Sequence, residues 1–258
     1  MKKENIDLTT SKAKIARSKK HFDELTSALK IYLASQPYTI ERITNDATGD
    51  VSDIVRVKKE IPEDWSYIAG DIVHNLRASL DYLVTSLVEV NGNSASKSNC
   101  FPIDNSLEDY QRNSPKKLIG LNADAVEFIN SLKPYKNGED ILWRLHKLDI
   151  QDKHRRNLIV GAANRSVNIT MKMDFAGEQI KFPTIALIPA DTQFPLVDRK
   201  PLFGFNKKTA GAHDFNDNGY TFEIHFSGDQ IFNEREILVT LRELIQYVDR
   251  VLDDAIKI

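Results

Sequence analysis

The chain has 258 residues, 41% of them hydrophobic and 28% charged, a balance typical of a globular protein with a substantial core. Its formal net charge of −2 excludes a global basic field that would hold it on nucleic acid. Its single cysteine, Cys100, cannot form an intrachain disulfide. The basic start lacks the apolar segment of a signal peptide, and no apolar run approaches the ~20 residues that span a bilayer. We therefore expect a cytoplasmic location and no membrane partner.

The N-terminal half shows helical periodicity interrupted by one predicted β-hairpin. Apolar residues recur at helical steps from Ile15 to Leu33, and Pro37 ends this first helix. Two runs rich in β-branched residues then flank a turn-forming segment at 45–50, which predicts an antiparallel hairpin. Three further helices are expected at 62–90, 122–132 and 137–155, with an irregular stretch at 100–120.

The C-terminal part has a different character. Strand-like runs separated by turn residues fill 157–232, with a long proline-containing loop predicted at 189–219. An amphipathic helix is expected at 233–258. Because helices and strands are segregated, we expect one α+β domain, in which the first, second, fourth and last helices form a bundle. The bundle, with its N-terminal hairpin and a helical part covering about 1–156, packs against a C-terminal antiparallel sheet.

Two aspartates continue an apolar stripe in the helix predicted at 137–155. The stripe runs from Ile141 to Leu148 at helical spacing, and Asp149 and Asp152 follow on the same face. Carboxylates are costly to bury unless they are paired, hydrogen-bonded or bound to a metal. The two aspartates must therefore meet a polar partner elsewhere in the fold.

The second predicted helix is the best candidate for that partner. His74, Arg77 and Asp81 fall within about a sixth of a turn on a helical wheel, and Asp71 and Asn75 lie further round. One interpretation is structural, with Arg77 or backbone amides binding the two aspartates and fastening the helices together.

A chemical interpretation competes with the structural one. His74 and His154 would act as general acid and base, oriented by Asp149 and Asp152, a set suited to cleaving an RNA phosphodiester through attack by the 2′-hydroxyl. The groups predicted to bind the RNA or nucleotide are Arg77, Lys153, Asp71, Asn75 and Arg155. Other interpretations are a non-catalytic interaction or regulatory module and a metal-dependent hydrolase.

Metal-ligand residue types are present, but their spacing is not that of a metal motif. They are Asp71, His74, Asp81, His146, Asp149, Asp152 and His154. No two histidines have the H-x-x-x-H spacing that grips a metal from one helix turn, so we expect no metal and no other cofactor. A basic run in the first helix is either a solvated face or a nucleic-acid contact. It contains Lys12, Lys14, Arg17, Lys19 and Lys20.

The two polar segments resemble those of a family of bacterial proteins with no assigned activity, and the resemblance covers most of the chain. The strings are Gly70-Asp71-x-x-His74-Asn75-Leu76-Arg77-x-x-Leu80-Asp81 and Leu145-His146-x-Leu148-Asp149-x-x-Asp152-Lys153-His154-Arg155.

A more distant resemblance is to HEPN domains, helical bundles of bacterial toxins and defence ribonucleases. Their motif is an arginine followed, after four to six residues, by a histidine. Arg77 begins such a string, but Tyr82 stands where the histidine would be. The resemblance therefore implies a bundle that is either inactive or uses His74 or His154 in another way. The long C-terminal helix is also compatible with a homodimer.

Overall fold

The computed structural model describes residues 6–154, 161–175, 178–186, 196–206, 219–226 and 235–258. Within these ranges it contains six α-helices and six β-strands, which confirms the expected α+β class. The helices are α1 (Thr9–Ala34), α2 (Asp64–Val90), α3 (Leu107–Lys117), α4 (Ala123–Ser131), α5 (Asp140–His154) and α6 (Ile237–Ala255). The strands are β1 (Tyr38–Asn45), β2 (Asp50–Val57), β3 (Gly161–Phe175), β4 (Glu178–Ala186), β5 (Pro201–Asn206) and β6 (Gly219–His225).

Helices α1, α2, α5 and α6 pack together as the bundle that the sequence predicts, with α2 at its centre. Ile72, Leu76, Leu80 and Leu83 recur at helical spacing along α2, and all four side chains are fully buried. Burial of each contributes roughly 1.5–3 kcal/mol. Because α2 contacts α1, α5 and α6, its polar residues lie beside helix–helix contacts. Among the helices of the described ranges, none is long and apolar enough to cross a bilayer.

Helix α1 is held on two sides by polar contacts. Lys12 and Lys19 of the basic run form exposed ion pairs with Asp253 and Asp249 of α6, at 3.3 and 2.6 Å. Toward α2, the buried hydroxyl of Ser18 donates a hydrogen bond to the carbonyl oxygen of Ile72, at 3.1 Å. The basic run is therefore partly engaged within the bundle.

The strands form two antiparallel three-stranded sheets within the described residues, in the orders β1-β2-β5 and β4-β3-β6. Strands β1 and β2 are the predicted hairpin, with Tyr38 opposite Val57. The prediction of a continuous loop at 189–219 is wrong, because 201–206 form β5 and pair with β2. Strand β5 is only six residues long, a proline opens it and a glycine interrupts its apolar residues, so its sequence gives a weak strand signal.

The expectation of an irregular stretch at 100–120 is also wrong, because α3 lies within it. The Ser106 hydroxyl caps this helix by accepting a hydrogen bond from the backbone N–H of Asp109, at 3.1 Å. Pro115 lies inside the helix, and only Tyr110 and Ser114 are buried, so apolar periodicity is weak. The Ser-x-x-Asp cap was the available signal.

Candidate functional site

The two polar segments meet where α5 packs against α2. Asp149 of α5 lies beside His74, and Asp152 lies beside Gly70, one turn earlier in α2. Because residue numbers rise along one helix as they fall along the other, the helices run antiparallel at this contact. The structure thus brings together three of the residues that the sequence assigns to catalysis.

His74 and Asp149 form a hydrogen-bonded pair, with 3.0 Å between His74 Nδ1 and Asp149 Oδ1. The Asp149 side chain is 3% exposed, whereas half of the His74 side chain is exposed. Because a carboxylate can only accept hydrogen bonds, Nδ1 carries the proton that is donated to it. The pair therefore orients the imidazole and leaves Nε2 as the ring nitrogen available to a bound molecule.

The Asp152 carboxylate occupies the space above Gly70. A Cβ atom built on Gly70 would lie 2.7 Å from Asp152 Cγ, closer than real Cβ atoms approach other atoms. The predicted burial of Asp149 is confirmed, but that of Asp152 is wrong, since this residue is exposed. A glycine covers little of the side chain opposite it, and Asp152 lies in the last turn of α5.

The buried Arg77 and the partly exposed Asp81 form a clamp on the chain segment that follows α2. Arg77 Nη1 donates to Asp81 Oδ1 at 2.6 Å, and Arg77 Nη2 donates to the carbonyl oxygen of Phe101 at 2.8 Å. Asp81 Oδ1 also accepts the backbone N–H of Phe101, at 2.8 Å. Arg77 thus ties Phe101 to α2 and does not take Asp149 or Asp152 as its partner in the way the structural interpretation expects. Its binding of a ligand stays a prediction.

Asn75 links α2 to α1. Its Nδ2 donates to the carbonyl oxygen of Asp71 at 2.7 Å, and its Oδ1 accepts from Lys14 Nζ at 3.1 Å. Asn75 is 9% exposed, whereas Asp71 is exposed. The sequence does not predict Lys14 as a site residue, because Lys14 and Asn75 are 61 positions apart and meet only in the folded bundle.

A second histidine, His146, lies one turn before Asp149 in α5. Its Nδ1 is buried and has no hydrogen-bond partner among the described residues. Burial lowers the pKa of His146 to about 4, and the positive charge of Arg77 acts in the same direction. His146 is therefore neutral near pH 7. From the sequence it is a candidate only as a metal ligand.

The remaining predicted site residues follow Asp152. Lys153 and His154 complete α5, but their side chains lie outside the described residues, as does all of Arg155.

No clustered metal ligands are found in the part of the chain that the structure describes. There, no group of three or more histidine, cysteine, aspartate or glutamate residues is arranged to hold a metal ion. Cys100 is half-buried, and burial raises the pKa of its thiol, an effect to which the nearby Asp81 carboxylate adds. The thiol is therefore protonated near neutral pH and is a poor metal ligand.

Comparisons with known proteins found no match to any family model, curated protein or solved structure. The two resemblances stay predictions, and a functional assignment must come from the geometry of the site.

The clamp predicts a loss of stability on removing Asp81. Asp81→Ala leaves the buried Arg77 guanidinium without its carboxylate and the Phe101 N–H without its acceptor, and we expect the free energy of unfolding to fall by about 1–3 kcal/mol. Urea denaturation measures this change. Asp71→Ala is the matched control, because Asp71 is an exposed aspartate of the same helix, and its effect should stay within about 0.5 kcal/mol. Equal effects of the two variants would contradict the clamp.

His146 predicts a pH-dependent stability. Its ordinary pKa is 6.5 and its folded pKa about 4, so between these values the unfolded chain binds a proton that the folded protein excludes. The stability of the folded state that depends on a neutral His146 is therefore fully present above pH 6.5 and is lost as the pH falls toward 4. Between pH 7 and pH 4.5 we expect the free energy of unfolding of His146→Gln to fall by about 2 kcal/mol less than that of the unmodified protein. Urea denaturation at the two pH values measures the difference. The same loss in both proteins would show that His146 is readily protonated in the fold.

The contact between Gly70 and Asp152 can be tested with a double-mutant cycle. Alanine favours a helix over glycine by about 0.5–1 kcal/mol, but a methyl group at position 70 collides with the carboxylate. We expect Gly70→Ala to stabilise the Asp152→Ala variant by that amount and to give the unmodified protein little or no gain in thermal denaturation. An equal gain in both backgrounds would mean that the carboxylate does not occupy this space.

Proposed function

We propose that the protein acts on RNA by cleaving phosphodiester bonds without a metal ion, with His74 as the general base. The observation that carries the proposal is the pairing of a half-exposed imidazole with a buried carboxylate, at 3.0 Å. A buried partner on Nδ1 holds the ring in one tautomer and stabilises the imidazolium that forms when Nε2 accepts a proton.

The reaction requires one proton to be removed and one to be supplied. His74 Nε2 takes the proton of the 2′-hydroxyl as its oxygen attacks the adjacent phosphorus. The bond from phosphorus to the 5′ oxygen breaks, which gives a 2′,3′-cyclic phosphate and a leaving oxygen that takes a proton from a general acid. His154 is the candidate for that acid.

Two exposed tyrosines support single-stranded RNA as the substrate. Tyr67 is 60% exposed and Tyr82 is 41% exposed, and they lie seven residues before and eight residues after His74 in α2. At ~100° per residue all three fall on one side of the helix. Aromatic side chains stack on the bases of single strands. The tyrosines are 15 residues apart, or ~22 Å along the axis, a span that favours a strand over a single nucleotide.

The negative charge around His74 means that a phosphate can bind there only if cations are also present. Carboxylates of Asp71, Asp149 and Asp152 lie on the same or facing turns and disfavour a phosphate. Cations must therefore outweigh them, a role for which the sequence provides Lys153 and Arg155.

The competing proposal is a non-catalytic interaction or regulatory module. The clamp of Arg77, Asp81 and Phe101 favours it, because this part of the polar motif binds the protein's own backbone. A metal-dependent hydrolase is the third proposal, and adding a chelator to the assay separates it from the first.

The proposal predicts metal-independent cleavage that depends on His74. In the presence of EDTA, the unmodified protein should cleave a labelled single-stranded RNA to products with 2′,3′-cyclic phosphate ends. We expect His74→Gln to lower the rate at least ~100-fold, the usual contribution of an acid–base residue. The melting temperature should change little, because the glutamine amide can still donate a hydrogen bond to Asp149. Asp149→Asn should also slow cleavage, because it removes the charge that stabilises the imidazolium.

Asp249→Asn on α6 is the matched control, since Asp249 forms an exposed ion pair with Lys19 away from His74. An unmodified protein that leaves RNA intact in the presence and absence of divalent metal ions would favour the non-catalytic module. Cleavage by His74→Gln at the unmodified rate would remove His74 from the mechanism.

A further inference from the structure

We propose that Lys14 of α1 is the cation that binds the substrate phosphate beside His74, and that Asn75 positions it. The inference rests on the proposed function, since it names the group of the same site that offsets the charge of the RNA.

The hydrogen bonds of Asn75 fix the position of the lysine. Asn75 is almost fully buried, and its Nδ2 donates to the carbonyl oxygen of Asp71 at 2.7 Å. This bond turns Oδ1 toward α1, where it accepts a hydrogen bond from Lys14 Nζ at 3.1 Å. An ammonium group has three donors, so this bond leaves two of them for a ligand.

The charge of Lys14 is not neutralised by this contact. Its neighbours Lys12 and Lys19 form ion pairs with Asp253 and Asp249 of α6, whereas Lys14 binds a neutral amide. Among the described residues, no carboxylate oxygen lies within 4.0 Å of Lys14 Nζ. Lys14 thus differs from the two paired lysines of the basic run in keeping a positive charge that an anion can meet.

The placement of Lys14 complements that of the histidine pair. Asn75 directly follows His74 in α2 and lies about 100° further round the helix, so the ammonium group is anchored on the α1 side of the residue next to His74. Helix α1 supplies the cation from one side of α2, and α5 supplies Asp149 from the other. An RNA strand that crosses α2 between these two sides would have Lys14 as a counter-charge to the carboxylates around His74.

The test is the salt dependence of RNA binding by the full chain. Fluorescence anisotropy with a labelled single-stranded RNA would be measured in the His74→Gln background, so that the RNA stays intact. We expect Lys14→Ala to raise Kd about tenfold at low salt. We also expect it to lower the slope of log Kd against log salt concentration by ~0.7, the value for one phosphate contact on a single strand. If the role of the lysine were purely structural, its replacement would leave this slope unchanged.

Three further variants complete the experiment. Lys14→Arg should keep the slope, because it keeps the charge. Asn75→Ala should raise Kd with little change of slope, since it frees the lysine without removing it. Lys12→Ala is the matched control and should change neither quantity, because Lys12 is already paired with Asp253.

The outcomes separate this inference from the function on which it rests. RNA binding whose slope is the same with and without Lys14, together with His74-dependent cleavage, would overturn the role of Lys14 alone. Absence of both binding and cleavage in the unmodified protein would overturn both proposals.

Discussion

The carboxylate of Asp149 is the constraint on which the polar face of the bundle depends. A charge that is 97% covered at a helix–helix contact would destabilise the fold if it were left without a partner. His74 supplies a hydrogen-bond donor at 3.0 Å from the facing helix. One turn earlier Gly70 leaves room for a second carboxylate. The same contact that satisfies the buried charge also fixes the orientation of a half-exposed imidazole, which is how packing and chemistry become linked here.

The polar motif of α2 divides into two parts with different physical roles. Arg77 and Asp81 point toward the chain segment after the helix and bind the backbone of Phe101. His74 lies nearer solvent and faces α5, and Asn75 faces α1. The pair of Arg77 and Asp81 therefore holds the fold together, and His74 and Asn75 carry the contacts on which the proposed acid–base chemistry rests.

The elements that could be predicted from sequence are those with strong periodicity. The four bundle helices and the N-terminal hairpin follow from apolar spacing and turn chemistry, and the burial of Asp149 follows from its place on an apolar stripe. Helix α3 carries few apolar residues, and strand β5 is short and contains a proline and a glycine, so their patterns are typical of loops. Besides Asp81, Arg77 binds a backbone carbonyl 24 positions away, and Lys14 meets a residue 61 positions away. Neither contact leaves a local trace in the sequence.

The most direct test of the central claim is the ¹⁵N NMR spectrum of the His74 imidazole near neutral pH. If Asp149 accepts a hydrogen bond from Nδ1, that nitrogen will show the shift of a protonated nitrogen and Nε2 that of an unprotonated one. Asp149→Ala should then give the averaged tautomers of a free histidine. A His74 ring that already shows averaged tautomers in the unmodified protein, or a neutral ring whose single proton is on Nε2, would contradict the pairing on which the account rests.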